Sequence, residues 1–348
     1  MQARRQTRQI RVGSVPVGGQ APVSVQGMTK SETRNRRQVL AEVRRMVRAG
    51  AEIVRIGIPD EESLEAVRWV KSRVAVPIVG DIHFNYRLAQ QAIRAGVDGI
   101  RINPGNLGGP RRLKAVVETA REFGVSLRIG INSGSLEKDL RRLPVAKALV
   151  KSALRAVELL ESLDFFNFKL SLKSSNVSEM IEAHRLVSAR VDYPLHLGVT
   201  EAGPGLTGIV KSVLGIGVLL AEGIGDTIRV SLTGPSDLEV RTAWQILKGL
   251  GLRHRGVEIV SCPTCTRDSL KIRSLAEQVE RRLAPREKEI KVAVMGCPVN
   301  GLGEASRADL GLVGSRGKAI IYFRGRPIGK RDRAEAVNAI CELVDKLD

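Results

Sequence analysis

The sequence predicts an α/β protein in two parts: an N-terminal (β/α)8 TIM-type barrel in residues 1–250 and a smaller α+β domain in residues 251–348. Two observations carry this prediction. Short apolar runs alternate eight times with segments of helical periodicity, and then a basic, glycine-punctuated joint, GLGLRHRG from Gly249 to Gly256, breaks the pattern. With 43% apolar residues in 348, the chain has enough apolar material for one large core and one small core.

Each apolar run of the first part reads as a parallel strand, because it is rich in valine, isoleucine and leucine and precedes an amphipathic helix. The runs are VSVQGM from Val23, EIVRIGI from Glu52, PIVGDI from Pro77, GIRINP from Gly99, SLRIGI from Ser126, FNFKLSLK from Phe166, PLHLGVTEA from Pro194 and DTIRVSLT from Asp226. Eight such units in about 230 residues fit a closed barrel. The alternative is an open doubly wound sheet, but its usual G-x-G-x-x-G after the first strand is absent.

The second part reads as a compact α+β domain. It begins with the strand VEIVSC from Val257 and continues through a helix and a second strand, Ile290 to Met295. A glycine-rich turn is expected at Asn300 to Gly303. A hairpin around Ala319 to Phe323 and Arg326 to Ile328, followed by a closing helix, completes the domain.

The charge of the chain does not decide its partner. Lysine and arginine number 56 against 37 acidic residues, and the net charge of +19 would suit nucleic acid, an anionic small molecule or an acidic protein. Aromatic residues make up only 3%, so stacking platforms for single strands are few, and no zinc-finger, helix-turn-helix or RNA-binding signature is present. We therefore expect no nucleic-acid partner.

The sequence also bears on the compartment. No apolar h-region follows the basic amino terminus, and no run of eighteen apolar residues occurs, so we expect no membrane association. Four cysteines in a chain of this length do not suggest a disulfide framework. We expect a soluble, cytoplasmic protein.

Three of the four cysteines stand in two Cys-Pro turns, SCPTC and GCPVNGLGE. Proline fixes its own φ and restricts the residue before it, so Cys262, Cys265 and Cys297 are held at fixed positions. Three thiolates make a soft ligand set for zinc or for an iron–sulfur cluster. Structural zinc normally adds a second close pair of Cys or His, whereas Cys297 stands alone. The spacing therefore favours an iron–sulfur domain.

The fourth ligand of such a cluster has two candidates. Glu304, seven residues after Cys297, would be a weak and exchangeable ligand that leaves one iron free to act on a substrate. The remaining cysteine, Cys341, shares with Val337 and Val344 the i, i+4, i+7 spacing of an apolar helix face. That spacing favours a place in the core for Cys341.

Polar residues cluster where the predicted barrel strands end, which is the face on which such barrels bind their ligands. They are Arg55, Asp81, His83, Arg101, Asn103, Arg128, Asn132, Lys173, Glu201, Arg229 and Ser231. Five cations stand against two carboxylates. The cations either pair inside the barrel with Asp81 and Glu201 or bind an anion, and their excess favours a phosphate or diphosphate.

Three residues are candidates for catalytic roles: Glu304, Glu201 and His83. His83 would serve as an acid or base, but a histidine beside a strand end is about as often structural. Glu201 would act as an acid or base or would only orient Arg229. The sequence leaves these alternatives open.

Several long strings of the chain carry a resemblance to one enzyme family. They are VPVGGQAPVSVQGMT, GDIHFN, RINPGN, RIGINSGSLE, SLKSSNV, LGVTEAG, GDTIRVSLTG, SCPTC and MGCPVNGLGEASRADLG. On these strings the chain resembles, over nearly its whole length, the bacterial two-domain 4-hydroxy-3-methylbut-2-en-1-yl diphosphate synthases of the non-mevalonate isoprenoid pathway. Gly27 stands where the family usually has serine, and the segment KSETRN after it is less regular.

The resemblance implies a reaction, a cofactor and partners. The reaction is the reductive ring opening and dehydration of 2-C-methyl-D-erythritol 2,4-cyclodiphosphate to 4-hydroxy-3-methylbut-2-en-1-yl diphosphate, with two electrons delivered through a [4Fe-4S] cluster. The implied cluster ligands are Cys262, Cys265, Cys297 and an exchangeable Glu304. The implied substrate-binding residues are Arg55, Asp81, Arg101, Asn103, Arg128, Asn132, Lys173, Glu201, Arg229 and Ser231. A homodimer and a flavodoxin or ferredoxin donor are implied as well.

Two other function classes fit parts of the sequence. A nucleic-acid-binding protein with a structural zinc would use the positive charge and the cysteines. A barrel aldolase would use Lys173 to form a Schiff base. Iron content separates the first class from the reductase, and borohydride trapping of a carbonyl substrate would detect the second.

Overall fold

The computed structural model describes residues 2–347 and divides the chain into two compact units, Met1–Arg253 and His254–Asp348. Within the described residues, the first unit contains an eight-stranded parallel barrel, a short hairpin and eight α-helices, and the second contains a five-stranded mixed sheet and three α-helices. The expected fold, a (β/α)8 barrel followed by a smaller α+β domain, is confirmed. No helix in this range is long and apolar enough to cross a bilayer.

A hairpin of β1 (Ile10–Val12) and β2 (Val15–Val17) precedes the barrel. Its apolar side chains pack against Ile53 and Val79, near the amino-terminal ends of two barrel strands. The hairpin therefore covers the end of the barrel opposite to the predicted binding face. The sequence did not predict it, because strands of three residues leave almost no periodic signal.

The barrel strands lie within the eight predicted runs, except that β7 extends one residue further, to Asn132. They are β3 (Ser24–Met28), β4 (Ile53–Gly57), β5 (Ile78–Asp81), β6 (Gly99–Ile102), β7 (Ser126–Asn132), β8 (Phe168–Lys173), β9 (His196–Leu197) and β10 (Thr227–Ile228). The hydrogen-bonded order is β8-β7-β6-β5-β4-β3-β10-β9, and all of these pairs are parallel. A bridge between Leu170 and Leu195 joins β8 to β9, so the sheet is nearly closed.

Helices follow the strands and cover the outside of the barrel. They are α1 (Arg36–Arg48), α2 (Glu61–Lys71), α3 (Tyr86–Arg94), α4 (Pro110–Glu122), α5 (Val145–Glu161), α6 (Val177–Ser188), α7 (Gly205–Ala221) and α8 (Ser236–Gly249). Side chains set their starts: Asp60 accepts from the Ser63 N–H at 2.8 Å, and Asn85 accepts from the Leu88 N–H at 3.2 Å. Gly96, with φ +90°, follows α3 in the left-handed conformation that ends many helices.

The second unit has its own sheet and its own core. Its strands are β11 (Glu258–Ser261), β12 (Lys291–Met295), β13 (Leu310–Ser315), β14 (Lys318–Phe323) and β15 (Arg326–Arg331), in that spatial order. Its helices are α9 (Ile272–Leu283), α10 (Pro298–Ser306) and α11 (Arg333–Lys346). The first three strands are parallel and the last two are antiparallel. Cys341 is 2% exposed in this core, as its helical spacing indicated.

One local expectation was wrong: the glycine-rich segment Asn300 to Gly303 lies inside the helix α10 rather than forming a turn. Pro298 occupies the first turn of this helix, a position that proline tolerates well. Gly301 is there because the helix packs closely on the sheet, since a Cβ at this position would lie 2.7 Å from Val313 Cγ1. The glycine therefore serves helix–sheet contact and not chain reversal.

This packing predicts opposite results for two glycines of α10. Gly301→Ala should lower the free energy of unfolding of the second unit by about 1–3 kcal/mol, because the added methyl group overpacks the interface. Gly303→Ala is the matched control: a Cβ there meets nothing within 4 Å, so stability should hold or rise by up to about 1 kcal/mol. Urea unfolding of the cluster-free protein measures both values. Equal destabilisation by the two variants would contradict this packing account.

Candidate active site

Four cations lie buried inside the barrel, on the strands β4, β6, β7 and β8. Arg55, Arg101, Arg128 and Lys173 are each no more than 7% exposed. The strand register pairs Arg101 with Arg128 across β6 and β7. The side chains of residues paired across a parallel sheet share one face, so Arg101 and Arg128 both point into the barrel lumen. The structure thus brings together the cations that the sequence placed at the barrel mouth.

Asp81 is the carboxylate that this group of cations surrounds. Its oxygens lie 3.3 Å from Arg101 Nη1, 3.8 Å from Arg55 Nε and 3.5 Å from His83 Nε2. Burial alone would raise the pKa of the Asp81 carboxyl, but the charge of Arg55, the contact with His83 and the charge of Arg101 outweigh it and hold that pKa well below its usual range. Asp81 therefore stays ionised and fixes Arg101.

Arg128 has little compensation for its charge. One of its terminal nitrogens donates to Ser171 Oγ at 3.0 Å, while its Nε and Nη1 have no partner among the residues described. Burial lowers the pKa of this guanidinium well below its usual value, and the nearby charges of Arg55 and Arg101 add to the effect. A buried cation with two free donors facing other cations is a binding group for an anion.

Lys173 shares this environment. Burial, followed by the charges of Arg128 and Arg229, lowers the pKa of the Lys173 ammonium well below its usual value. The backbone makes room for the lysine at Gly198, where a Cβ would lie 3.0 Å from Lys173 Nζ and 2.4 Å from the Arg229 carbonyl oxygen. Gly198, in the loop after β9, is therefore required because the Arg229 backbone and the Lys173 side chain approach it closely.

Arg229 is held by a carboxylate that sequence reasoning missed. Its Nη1 donates to Ser231 Oγ at 2.5 Å, and its Nη2 lies 3.6 Å from Glu239 Oε2. Burial and then the charge of Arg55 lower the pKa of Arg229 to about 10. Glu239, which also pairs with Lys30, lies in the first turn of α8. Acidic residues are common in that turn because they interact favourably with the helix dipole, so no local pattern points to this role.

Glu201 does not occupy the orienting position that one alternative gave it. The carboxylate beside Arg229 is Glu239, whereas Glu201 is exposed in the loop after β9. Glu201 also has φ +52°, a left-handed conformation that costs free energy for a residue with a side chain. Its role as an acid or base stays a prediction.

His83 lies at the rim of the lumen, with its side chain 47% exposed. Its Nδ1 is 3.0 Å from Arg101 Nη1. Its Nε2 is 3.2 Å from the same Arg101 nitrogen and 3.5 Å from Asp81. These contacts position the His83 ring beside Arg101 and Asp81.

The polar neighbours complete the rim. Asn103 donates to Ser135 Oγ at 3.1 Å and accepts from the Gly105 N–H at 3.1 Å, which shapes the loop after β6. Asn132, in the amide orientation that satisfies both of its polar atoms, accepts from Arg101 Nη2 at 3.3 Å. Asn132 therefore helps to hold Arg101 in place, whereas Asn103 holds the loop after β6.

A second polar layer lies deeper in the barrel and was not predicted. Lys169 Nζ donates to Thr227 Oγ1 at 3.1 Å, and both ring nitrogens of His196 are unpartnered among the described residues. Burial and then the charge of Arg128 lower the pKa of Lys169 to about 7. The period-2 spacing of Lys169 and Lys173 on β8 is a signal that could have found this lysine.

The cysteines of the second unit stand in two turns that contact each other. The Gly296 N–H donates to Cys262 Sγ at 3.2 Å, and the Ser269 N–H donates to the Gly296 carbonyl at 3.3 Å. Cys262 and Cys297 are half-buried and Cys265 is exposed. Both turns follow parallel neighbouring strands, β11 and β12, so chain topology brings the two cysteine motifs together.

The donor set fits a soft metal group in its chemistry. Cys297 is the N-cap of α10, and Glu304 lies two turns further along the same helix. Among residues 2–347, no three His, Cys, Asp or Glu side chains converge closely enough to share a single metal ion. An iron–sulfur cluster binds its ligands through different irons, so neighbouring turns carrying thiols and a nearby carboxylate are the features that fit it.

The surroundings of Asp81 predict a loss of stability when its charge is removed. In the folded protein the pKa of Asp81 lies below the ordinary value of about 4. The ionised carboxylate therefore stabilises the fold fully above about pH 4, and this stabilisation is lost as the pH falls below that value. Asp81→Asn should lower the free energy of unfolding of the barrel at pH 7 by about 3 kcal/mol, because it leaves buried cations unpaired. Urea unfolding between pH 2 and pH 7 measures this.

The matched control is Asp139→Asn. Asp139 also pairs with an arginine, Arg155, but both side chains are exposed to solvent, so little change is expected. Equal losses of unfolding free energy in Asp81→Asn and Asp139→Asn would contradict the role of the buried charge. So would a difference in unfolding free energy between Asp81→Asn and the wild type that stays the same from pH 7 to pH 2.

Comparison with known proteins identifies the family. A family model described as the GcpE TIM-barrel domain matches residues 7–244, and one described as the GcpE protein C-terminal domain matches residues 258–346. The chain is 48% identical over 346 residues to a Thermodesulfovibrio yellowstonii protein named 4-hydroxy-3-methylbut-2-en-1-yl diphosphate synthase (flavodoxin), covering 99% of each. A protein of the same name from Dehalococcoides mccartyi is 48% identical over 348 residues, covering 100% of each.

Solved structures show a more distant likeness. The dihydropteroate synthase of Stenotrophomonas maltophilia has a TM-score of 0.52 at 16% identity, covering 70% of this chain and 98% of that one. The enzyme of the same name from Yersinia pestis has a TM-score of 0.51 at 15% identity, covering 70% and 97%. Such low identity indicates a shared fold alone. By its two family domains and its full-length relatives, the chain belongs to the GcpE family.

Proposed function

We propose that this protein is a 4-hydroxy-3-methylbut-2-en-1-yl diphosphate synthase. It would convert 2-C-methyl-D-erythritol 2,4-cyclodiphosphate, by reductive ring opening and dehydration, to 4-hydroxy-3-methylbut-2-en-1-yl diphosphate and water. The observation that carries the proposal is the group of buried cations in the barrel, which outnumber the carboxylates beside them. Relatives that cover the whole chain are named for an enzyme whose product is a diphosphate.

In this proposal the first unit binds the substrate. Arg128, with two free donors, and Lys173 would hold diphosphate oxygens, and Arg229, whose charge acts on Lys173, would contribute a further donor. Arg101 would be oriented by Asp81 and Asn132. These side chains are held in place before the substrate binds. Binding therefore costs the translational and rotational entropy of the substrate but little further entropy for ordering the protein.

The same cations would assist bond breaking. Opening the cyclic diphosphate frees a diphosphate oxyanion, and guanidinium groups in a low-dielectric lumen stabilise such a charge more strongly than water does. Loss of a hydroxyl group as water needs a proton. We assign its delivery to His83, whose position beside Arg101 places it at the rim of the lumen, with Glu201 as the alternative.

The second unit would hold the cofactor, a [4Fe-4S] cluster bound by Cys262, Cys265, Cys297 and Glu304. When bound, the cluster would pass on the two electrons that the donor provides, one at a time, and would offer a Lewis-acidic iron. The chain would contribute three thiolates and a carboxylate that can leave. We propose a cytoplasmic enzyme, since free thiols of this kind suit a reducing compartment.

The proposed electron donor is a flavodoxin, since the full-length relatives carry that word in their names. A ferredoxin is the alternative. The strong positive charge of the chain suits an acidic donor of either kind.

The ligand assignment predicts different results for two residues of the second unit. Anaerobically reconstituted protein should contain about four irons per chain and absorb near 400 nm. Glu304→Ala should keep bound iron but lose turnover by on the order of 100-fold, because the exchangeable ligand is replaced. Iron analysis and product formation from the cyclic diphosphate measure this.

Cys341→Ala is the matched control, since this buried thiol lies in the core of the second unit and should affect neither iron content nor turnover beyond a loss of stability. Cys265→Ser should prevent cluster assembly. A wild-type protein that holds no iron when oxygen is excluded, or a Glu304→Ala variant with unchanged turnover, would refute the assignment.

We also propose a homodimer, which the resemblance implies. Exposed apolar side chains follow one stripe of α7, with Leu206 76% exposed and Leu214 51% exposed. A contact between two copies would remove this surface from water. Leu206→Lys/Leu214→Lys should shift the mass measured by light scattering to that of a monomer, whereas Phe123→Lys, at an isolated exposed aromatic residue, should not. A wild-type protein that is monomeric at all concentrations would contradict the proposal.

A further inference from the structure

The sheet of the second unit brings exposed cations to the same end as the cysteines. β11 and β12 run in parallel into the turns of Cys262 and Cys297. β13 is parallel to β12, so its carboxyl end lies at this end as well. The antiparallel register pairs Gly314 with Ala319 and Ala319 with Arg331. The start of β14 and the end of β15 therefore lie at this same end of the sheet.

Four basic side chains lie at this end of the sheet, and we call them the sheet-end cations: Arg316, Lys318, Lys330 and Arg331. All four are exposed. Lys318 lies 3.5 Å from Asp332, a pair exposed on both sides, while the other three form no ion pair with any described residue. Asp332 offsets one of the four charges, so the group remains strongly positive. Arg267 and Lys271, exposed in the loop after Cys265, extend the positive surface.

Protection of the sheet edge explains only part of this charge. β15 is an edge strand, and basic residues on such a strand prevent pairing with the edge of another molecule. That reason accounts for Lys330 and Arg331. It does not account for Arg316 and Lys318, which lie at the turn between β13 and β14, away from the free edge.

The chemistry proposed for this unit requires a docked protein at this end. Electrons that reach a group held by Cys262, Cys265 and Cys297 have to come from a donor beside them, because electron transfer weakens steeply with distance. Transient redox complexes use small interfaces, in which complementary charge steers and orients the partners. An acidic protein is the partner whose charge complements four exposed cations.

We infer that Arg316, Lys318, Lys330 and Arg331 form the docking surface for the acidic protein that reduces this enzyme. The inference rests on the proposed function. Two donor molecules dock in turn, and each is oxidised by one electron, which together supplies the two electrons that one substrate molecule consumes. The sheet-end cations touch neither the substrate nor the reacting atoms.

The hairpin of β14 and β15 offers a matched control. Arg324 and Arg326 lie at its turn, at the opposite end of the same sheet, and are exposed as well. Arg316→Glu/Lys330→Glu and Arg324→Glu/Arg326→Glu therefore change the net charge equally and differ in the end of the sheet that they alter. Both variants are made in the full-length, cluster-loaded protein.

Binding of oxidised flavodoxin, measured by calorimetry at low and high salt, is the readout that does not depend on turnover. Arg316→Glu/Lys330→Glu should weaken binding about tenfold or more at low salt, and the difference should shrink at high salt because the interaction is screened. Arg324→Glu/Arg326→Glu should change binding less than about threefold. Turnover driven by reduced flavodoxin should follow the binding data, whereas turnover driven by dithionite should be the same in all three proteins.

Equal losses in the two variants would show that only net charge matters and would overturn the inference. An equal loss with dithionite would assign the cations to the chemistry, and unchanged flavodoxin binding would place the donor elsewhere. Tighter binding of the wild type to DNA or to phosphatidylserine vesicles than to flavodoxin, lost in the first variant only, would assign the surface to another class of partner. Failure of the proposed function is a separate result: the wild type would then turn over the cyclic diphosphate with neither reductant.

Discussion

The structure depends on one unfavourable arrangement, the burial of guanidinium and ammonium groups in a barrel that has too few carboxylates to pair with them. Asp81 compensates Arg101 and Arg55, and Glu239 compensates Arg229 in part. Arg128 is left with two donors facing other cations. Burying charge without a partner costs several kcal/mol, so a fold retains such groups where a ligand supplies the missing charge.

Other features of the barrel follow from this constraint. The hairpin of β1 and β2 covers the amino-terminal end, so that the charged lumen opens at the carboxyl ends of the strands. Gly130 allows Arg101 to lie against β7, since a Cβ there would be 2.7 Å from Arg101 Nε. Burial and neighbouring positive charge lower the pKa of both lysines of β8, Lys169 and Lys173. An anion that enters the lumen would reverse that effect and favour the protonated lysines.

The sequence predicted the barrel because buried parallel strands leave a strong signal, a dense apolar run before each helix. It also placed Arg101, Arg128 and Lys173 together, since the carboxyl ends of barrel strands share one face. Glycine misled the prediction at Gly301, where it serves close packing in a helix rather than a turn. Glu239 was missed because contact between the start of α8 and the lumen is a tertiary fact that no local pattern records.

Binding of 2-C-methyl-D-erythritol 2,4-cyclodiphosphate to the cluster-free protein, measured by calorimetry, tests most directly whether the buried cations form a diphosphate site. The account predicts one molecule bound per chain and an affinity that falls about tenfold or more in Arg128→Ala, which removes two unpaired donors. Binding that is absent in the wild type, or unchanged in Arg128→Ala, would contradict it.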